Sequence, residues 1–535
     1  MSFRYYTFLC FLLFSGLCAE AQIDVGWGAP QVAMPKFSYI SNIVGGNDSR
    51  IYALKVSVRG RGGQKHYYID SYSRKSLAFI SSVEFHPPLT NIPSSFLARV
   101  FKGAGRFQTG NMERLFYLHE KFLLFTSCYN PDNQKFYAYM QSFSENGGSD
   151  SKPVLIDSID SDGKRNKGSF DFVTSDDKSH ILIFHHEPFD KYGNEKFSYK
   201  VIDENQQVLW SKRMELPYKD KQFHVTRYRV DNQGNVFMLA SIDKDKENIA
   251  RKKPTYSYSI LAYFYQQDQL KEYTMDLGDK FISDVTFNIN PSGDIICAGF
   301  YSKSSETSQS GTFYLKIDKN TKEVSERSVK EFEKDFLLEF MSERKVERGR
   351  ELYNFNIDHL LLHPDGTALM VAEQYYVDVV SYYNPASRSY NYTYNYYYND
   401  IIVVSFDPKG GITLLKKISK YQHSINDQGP YASYVLVDAG DMLHFIYNDS
   451  PENIHRPEAE IEHGHISGMN SPGRSVVVLV SMDMKGNTQR TQLLDNHAKK
   501  NTSWFKPKMN KKIDDHNIIL FSERGKYYRF GRVSF

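Results

Sequence analysis

The sequence predicts an all-β fold built from repeated four-stranded antiparallel units. A short apolar run recurs along the whole chain, each copy follows a tight polar turn, and Phe, Trp and Tyr make up 15% of the 535 residues. Aromatic and β-branched side chains favour pleated, half-buried surfaces. Turns such as NQGN at 232–235 and PDGT at 364–367 lie between alternating apolar runs. This arrangement predicts β-hairpins.

A second half follows each hairpin, so the repeating unit has four strands. It consists of a Tyr- or Phe-rich strand, a polar turn and a strand with alternating charge, as in FYLKIDKNTKEVSERSV at 313–329. Eight such units without Pro/Ser-rich linkers resemble a β-propeller, and we predict one propeller domain over 22–535. Eight blades are predicted, with seven as the alternative. A β-sandwich array or a two-barrel protein would show the same strand period and remains open at this point.

The two ends of the repeat region predict how the ring closes. The last unit lacks an obvious fourth strand, whereas spare residues from Gln22 to about Pro35 precede the first unit. An N-terminal strand that completes the C-terminal blade would hide both sheet edges. One departure from all-β is predicted at 325–353, where Phe332, Phe336 and Phe340 recur at helical spacing and indicate one inserted amphipathic helix.

The C-terminal segment also carries a family resemblance. The residues that carry it form an ERGK-Y-RFG pattern: Glu523, Arg524, Gly525, Lys526, Tyr528, Arg529, Phe530 and Gly531. This ending resembles that of uncharacterised secreted propeller-like proteins of bacterial envelopes. The resemblance implies a propeller fold and export, and it implies no particular activity.

The N-terminus predicts export. Arg4 precedes an apolar stretch at 5–17, and Ala19 and Ala21 form an A-x-A cleavage pattern, which is typical of a secretory signal peptide at 1–21. The alternative is a lipoprotein modified at Cys18. No later run approaches the roughly 20 apolar residues of a spanning helix, so no transmembrane segment is predicted. We therefore expect a secreted or periplasmic protein.

Composition and motifs exclude several functional classes. Lys and Arg (66) nearly balance Asp and Glu (63), for a net charge of +3, which argues against a nucleic-acid ligand. The sequence contains no GxSxG, HExxH, CxxC or phosphate-loop pattern. No catalytic residue, metal ligand or cofactor is therefore predicted. The two cysteines outside the leader, Cys128 and Cys297, lie in apolar strand-like runs and are expected to act as small hydrophobic residues.

A tyrosine-rich insertion at 375–400 is the strongest candidate for a binding site. Its alternation predicts a long protruding hairpin with Tyr on one face and Asn, Ser or Thr on the other. Tyrosine offers flat contact area and a hydroxyl at low entropic cost. Six residues are the predicted ligand contacts: Tyr390, Tyr392, Tyr394, Tyr396, Tyr397 and Tyr398. Alternatively, the hairpin packs over a neighbouring blade or is a low-complexity loop tip.

A second insertion, at 448–474, is rich in histidine and glutamate. The side chains concerned are His455, His463, His465, Glu458, Glu460 and Glu462. Their spacing matches no standard metal site, so a solvated loop is expected. Both insertions follow equivalent strands of successive units, which predicts that they project from one face of the ring. We take that face as the predicted interaction surface.

These observations favour an exported binding or scaffolding module over an enzyme, with a protein or glycan as partner. The alternative is a carbohydrate-active hydrolase or lyase that works in the central funnel. Asp171, Asp284 and Asp358 lie near the start of predicted inner strands and are the candidate acids. The two hypotheses differ in whether these carboxyl groups meet in the channel.

Overall fold

The computed structural model describes residues 23–59, 64–85, 89–90, 108–109, 111–146, 152–244, 254–496 and 503–535. The predicted signal peptide lies outside these residues. Eight sheets of at least four strands follow one another along the chain, and in each of them neighbouring strands are antiparallel. None of the helices in the described ranges has the length and apolar character needed to cross a membrane.

The first half of the chain forms blades 1 to 4. Two short strands come first: β1 (Asp24–Trp27) and β2 (Gln31–Val32). Blade 1 contains β3 (Ser38–Gly46), β4 (Arg50–Arg59), β5 (Gln64–Ser73) and β6 (Phe79–Phe85). A separate pair follows: β7 (Leu89–Thr90) and β8 (Gln108–Thr109). Blade 2 contains β9 (Asn111–Leu118), β10 (Lys121–Asn130), β11 (Lys135–Ser144) and β12 (Val154–Asp160). Blade 3 contains β13 (Ser169–Thr174), β14 (His180–His186), β15 (Asn194–Asp203) and β16 (Val208–Lys219). Blade 4 contains β17 (Phe223–Val230), β18 (Val236–Asp243), β19 (Tyr256–Phe264) and β20 (Gln269–Met275).

The second half forms blades 5 to 8 and carries the insertions. Blade 5 contains β21 (Phe281–Ile289), β22 (Ile295–Ser302), β24 (Gly311–Ile317) and β25 (Val324–Glu331), with β23 (Ser308–Gln309) inserted. Next come α1 (Lys334–Leu338), α2 (Glu343–Glu347) and β26 (Leu352–Tyr353), which pairs with β23. Blade 6 contains β27 (Phe355–Leu362), β28 (Ala368–Asn384), β29 (Ser389–Phe406) and β30 (Ile412–Ile418), followed by β31 (Gln422–Ile425). Blade 7 contains β32 (Tyr434–Asp438), β33 (Met442–Asp449), β34 (Val476–Asp483) and β35 (Thr488–Asp495), with α3 (Glu458–Glu462) inserted. Blade 8 contains β36 (Trp504–Phe505), β37 (Lys511–Asp514), β38 (Asn517–Arg524) and β39 (Tyr527–Ser534).

The N-terminal strand completes the last blade, as the sequence predicts. Strand β1 pairs antiparallel with β39, from Asp24 opposite Ser534 to Trp27 opposite Gly531. Strand β2 pairs with the other end of β39. The C-terminal blade therefore takes its outer strand from the opposite end of the chain.

The apolar cores lie between successive sheets and run round the whole ring. Each of the eight clusters joins two consecutive blades. One of them seals the ring: Ile51 and Tyr72 of blade 1 pack with Phe521 and Phe530 of blade 8. The Tyr72 and Phe530 ring centroids are 4.5 Å apart. The predicted β-propeller is confirmed, and its eight sheets are compatible with eight blades.

The insertion at 325–353 needs a correction. The sequence predicted one helix there, whereas residues up to Glu331 form the outer strand β25 and the remainder forms the two short helices α1 and α2. Ser342 stands before α2 in an extended conformation, with φ −65° and ψ 150°, so the chain does not continue from α1 into α2 as one helix. The buried Phe332 and Phe336 still form the apolar face against blades 5 and 6.

Candidate functional site

The tyrosine-rich insertion is a hairpin formed by the extended ends of β28 and β29, as predicted. Their register runs from Tyr375 opposite Tyr398 to Asn384 opposite Ser389. We call residues 375–398 the ribbon. Both of its faces are largely exposed from Val377 to Tyr394. The ribbon therefore projects from blade 6 and does not lie over a neighbouring blade.

One face of the ribbon is an exposed apolar stripe. Cross-strand pairs place Val377 beside Tyr396 and Val379 beside Tyr394 on this face. Tyr390, Tyr392 and Tyr394 remain 60%, 55% and 43% exposed. The opposite face carries more Asn, Ser and Thr, because side chains alternate along a strand. Tyr390, Tyr392 and Tyr394 are therefore accessible to a ligand.

The three inner tyrosines of the predicted set lie at the foot of the ribbon, in different surroundings. Tyr396 is half-buried on the apolar stripe. Tyr397 lies on the opposite face, stacked between Tyr376 at 4.8 Å and His423 at 4.7 Å. Tyr398 is buried, with 6% of its surface exposed. The structure therefore separates the six predicted residues into an exposed outer group and a packed inner group.

Tyr398 is held by groups from distant parts of the chain. Its hydroxyl donates to the Gln428 carbonyl at 3.2 Å and accepts from Lys508 Nζ at 2.6 Å. Gly429 lies against its ring with φ +62°, and a Cβ there would lie 2.5 Å from the ring. Only glycine allows both this φ and this close approach. These contacts fix the foot of the ribbon to blades 7 and 8.

A third strand and the neighbouring insertion support the foot. Strand β31 pairs with residues Asn395–Tyr398 of β29. The segment next to it meets the 448–474 insertion, where His423 N donates to Met469 O at 3.0 Å and Met469 N donates to Tyr421 O at 2.9 Å. The 448–474 insertion is therefore linked to the foot of the ribbon through β31.

The 448–474 insertion is compact around a buried polar core. Asn453 donates to Asp449 Oδ1 at 2.7 Å, and its side-chain oxygen accepts from Ser467 N at 2.9 Å. The predicted histidines, His455, His463 and His465, are all exposed. Over the described ranges, no three His, Cys, Asp or Glu side chains come together as a metal site would require.

The inner strands carry a recurring β-bulge. Besides Val44 of blade 1, one inner-strand residue in each of five blades is left unpaired by a register shift. These residues are Ser41, Glu113, Thr226, Ser283 and Asp358. A bulge re-aims the side chain that it carries and is common beside functional sites. Asp358 is the bulge that meets further ionisable groups.

The three candidate acids have different environments. Asp171 of blade 3 faces the Tyr228 hydroxyl, whose pKa is raised by burial and by this carboxyl. Asp284 of blade 5 accepts the backbone N–H groups of Ile357 at 2.6 Å and Val285 at 2.8 Å. Burial raises the pKa of Asp284. Asp284 therefore links the inner strands of blades 5 and 6. Of the three candidate acids, only Asp358 combines an exposed side chain with a strongly raised pKa.

Asp358 belongs to an ionisable cluster at the foot of the ribbon. The Tyr434 hydroxyl donates to Asp358 Oδ2 at 2.9 Å. Nearby, Lys420 Nζ lies 2.7 Å from Glu373 Oε1, in a pair whose side chains are 0% and 5% exposed. Lys420 also donates to the Tyr398 carbonyl at 2.7 Å. Together with Lys508, these residues form what we call the foot cluster.

Both exposed members of the foot cluster have perturbed pKa values. Surrounding protein atoms, which withdraw water from the carboxylate, raise the pKa of Asp358 to about 7, and the Glu373 carboxylate adds to the rise. Protein atoms around the ammonium, which displace part of its water, lower the pKa of Lys508. An acid that titrates near neutrality beside an amine with a lowered pKa can exchange protons with a bound ligand.

Sequence reasoning found Asp358 but missed the rest of the foot cluster. Glu373, Lys420, Tyr434 and Lys508 come from three blades and match no local motif. They come together only through contacts between blades, which no local sequence pattern shows.

Comparisons with known proteins identify no family. No family model matches the chain, and no curated protein matches its sequence. Among solved structures it is similar to the β-propeller domain of the Trilobed protease from Pyrococcus furiosus, at 10% identity and TM-score 0.35, covering 87% of this chain and 98% of that one. It is also similar to the WD40 domain of SCAP from fission yeast, at 8% identity and TM-score 0.38, covering 96% and 94%. An ulvan lyase of polysaccharide lyase family PL25 matches at 10% identity and TM-score 0.37, covering 79% and 91%.

These three similar proteins differ from one another in what their names describe: a protease domain, a WD40 domain and a polysaccharide lyase. At such low identity and TM-score the likeness carries no argument about activity. The chain is a β-propeller by its own sheet topology and inter-blade cores.

Proposed function

We propose that the protein is an exported binding or scaffolding module, secreted or periplasmic, whose ribbon contacts a protein or glycan partner. The observation that carries this proposal is the apolar stripe, where three tyrosines stand exposed on a hairpin that projects from the ring. Soluble proteins rarely expose contiguous apolar patches without a binding role. Tyrosine also supplies hydrogen bonds at little entropic cost.

The test is a pair of double variants. Tyr392→Ser/Tyr394→Ser removes two rings from the stripe, and Phe189→Ser/Tyr192→Ser removes two aromatic rings from the connection between β14 and β15 of blade 3. The control residues are 55% and 77% exposed. Each protein is assayed by thermal shift against soluble glycans and by pull-down from envelope extract.

The ribbon variant is expected to lose the glycan shift or the captured protein, while the blade 3 variant keeps it. Equal binding by both variants would contradict the proposal. A ligand at about one hundred times its Kd adds roughly 2.7 kcal/mol of stability, which a thermal shift detects readily.

Export is tested separately. We expect N-terminal sequencing of the protein from the extracellular or periplasmic fraction to begin at Gln22. A chain that keeps Met1 in the cytoplasm, or that carries lipid on Cys18, would contradict the predicted leader.

We propose a carbohydrate-active hydrolase or lyase as the second candidate function. The observation that favours it is the foot cluster, where Asp358 is exposed, has a pKa of about 7 and accepts the Tyr434 hydroxyl. Its test is product formation from a panel of soluble polysaccharides. Asp358→Asn is expected to abolish product and Asp171→Asn to retain it. Absence of product with every substrate, or equal loss in both variants, would remove this candidate.

A further inference from the structure

The inner strand of blade 4 carries two arginines beside a cavity. The cavity has a volume of about 450 Å³ and lies along the inner strands β13 and β17. Arg227 and Arg229 contribute to its lining, together with Asp171 and Tyr228. The bulge at Thr226 directly precedes the two arginines. We call this space the arginine cavity.

Both guanidinium groups are held by backbone carbonyls of other blades. Arg227 Nη2 donates to the Ile357 carbonyl at 3.1 Å, and Arg229 Nε donates to the Phe287 carbonyl at 3.3 Å. Arg227 thus reaches from the inner strand of blade 4 past blade 5 to that of blade 6. A carbonyl oxygen orients a guanidinium but carries no charge to neutralise it. The two arginines are therefore fixed in place with donors to spare.

Neither arginine has a carboxylate as a direct partner. In the part of the chain that the structure describes, the arginines that form ion pairs are Arg74, Arg213 and Arg490. Arg227 and Arg229 are not among them, although both are half-buried. A half-buried charge is partly withdrawn from water, so a counter-ion stabilises it more than it would an exposed one.

Further positive charge comes from blades 2, 3 and 8. Burial and the Asp171 carboxyl raise the pKa of Tyr228, and the charge of Arg114 opposes this rise. Protein atoms around the ammonium displace part of its water and lower the pKa of Lys511, and the charges of Lys178 and Arg114 lower it further. Arg114 therefore lies near both the arginine cavity and Lys511. These like charges repel one another, and a bound anion would relieve the repulsion.

The carboxyl groups near these cations do not balance them. Asp171 faces the Tyr228 hydroxyl. Asp284 accepts two backbone N–H groups, and the charge of Asp176 acts on Arg229 without forming an ion pair. The cations outnumber these three acids: Arg114, Lys178, Arg227, Arg229 and Lys511. The inner strands therefore carry an excess of positive charge here, in a chain whose charges nearly balance overall.

We propose that the arginine cavity binds an oxyanion, which Arg227 and Arg229 hold and which Arg114 and Lys511 attract. A planar guanidinium matches the oxygens of a carboxylate, sulfate or phosphate group. The source of the oxyanion is a free inorganic ion or the acidic group of a sugar. The cavity lies along inner strands and not on the ribbon, so this inference goes beyond the proposed binding function and does not rest on it.

Isothermal titration calorimetry on the purified protein tests the proposal. The titrants are sodium sulfate, sodium phosphate, sodium glucuronate and, as the uncharged comparison, glucose, all at one ionic strength set with sodium chloride. Tighter binding of sulfate or phosphate than of glucuronate assigns a free inorganic anion. Tighter binding of glucuronate, without binding of glucose, assigns an acidic sugar. A protein that binds none of the three anions with a Kd below about 1 mM overturns the proposal.

Two double variants with the same loss of charge locate the site. Arg227→Gln/Arg229→Gln is expected to weaken anion binding by at least about tenfold, since it removes two charge-assisted donors. Arg213→Gln/Arg327→Gln is the matched control on the exposed outer strands of blades 3 and 5, where Arg327 also donates to a backbone carbonyl, that of Asp276. It is expected to leave the Kd unchanged. Equal Kd values for the two double variants overturn the proposal.

Arg114→Gln keeps the test decisive if the first double variant does not fold, because Arg114 is exposed. We expect anion binding to weaken roughly threefold through the lost attraction. Without anion, the melting temperature should not fall, since the repulsion on Lys511 is relieved. A lower melting temperature with an unchanged Kd indicates a purely structural role and overturns the proposal. Tyr392→Ser/Tyr394→Ser should bind the anion like wild type, so failure of this site and failure of the ribbon remain distinguishable.

Discussion

The ribbon of blade 6 and the 448–474 insertion of blade 7 occupy the same place in consecutive blades, yet they are built differently. Both connect the second strand of a blade to the third. The ribbon continues the sheet outward, with exposed side chains on both faces. The 448–474 insertion folds back around Asn453 and the fully buried Ile461. One insertion directs its apolar side chains outward, and the other directs them inward.

The difference shows how the same position in a fold can serve stability or contact. In blade 7, Arg490 reaches the insertion, donating to Asp449 Oδ2 at 2.6 Å and to the Tyr447 hydroxyl at 2.8 Å. The outer ribbon makes no comparable buried contact among the described residues. Substitutions in the blade 7 insertion should therefore cost stability, whereas those in the outer ribbon should change recognition.

The largest expected effect is a loss of stability when the buried ion pair of the blade 7 insertion is removed. Arg490→Leu leaves the Asp449 carboxylate buried without its partner; the two side chains are 3% and 1% exposed. We expect a loss of about 3–5 kcal/mol in the free energy of unfolding, measured by denaturant titration. Arg213→Leu, which removes an ion pair with Glu187 on a side chain that is 69% exposed, is the control. Its expected cost is below about 1 kcal/mol, and equal costs would contradict the prediction.

A smaller effect concerns the pH dependence at the foot of the ribbon. The pKa of Asp358 is about 7 in the folded protein, above its usual value, so the folded state binds this proton more tightly than the unfolded chain does. Stability should therefore fall as pH rises from about 4 to about 8, by on the order of 1 kcal/mol, because solvent screens this exposed carboxyl. Asp358→Asn should flatten this part of the profile in pH-dependent thermal unfolding. An unchanged profile would show that another group titrates there.

The smallest expected effect compares the stability contributions of an inner and an outer tyrosine of the ribbon. Tyr398→Phe removes a hydroxyl that bonds to Gln428 and Lys508, and we expect it to cost about 1 kcal/mol. Tyr392→Phe, at an exposed position, should change stability by less than about 0.5 kcal/mol. Chemical denaturation of both variants measures the difference. Equal values would mean that the inner and outer tyrosines are not distinct groups.

The sequence predicted the repeating sheets, the closing strand and the ribbon because each leaves a local pattern. Period-two alternation in SYNYTYNYYY predicts a hairpin without knowledge of the rest of the fold. It cannot distinguish Tyr394 from Tyr398, because both occupy the same phase of that alternation. What buries Tyr398 is Gly429 and Lys508, which reach it from other blades.

The foot cluster could not be predicted from the sequence either, because its members also come together only in the folded structure. Glu373 and Lys420 form a buried pair only because β28 and the segment after β30 belong to one blade. Asp358 was identified as a candidate, but its bulge, which depends on the register with β28, is not visible in the sequence. Local patterns predict elements, and contacts between blades follow only from the register.

The pairing of β1 with β39 has a consequence for how the chain folds. The paired residues Asp24 and Ser534 are about 510 positions apart in sequence, so β1 cannot pair in its final place until β39 has been synthesised. Loop-closure entropy grows slowly with length, by about 0.6 kcal/mol for each doubling, so the distance itself is a modest thermodynamic cost. Contacts of such long sequence separation nevertheless slow folding. We therefore expect ring closure to be a late step of folding, before which the edge of β39 lacks its partner β1 and is open to strands of other molecules.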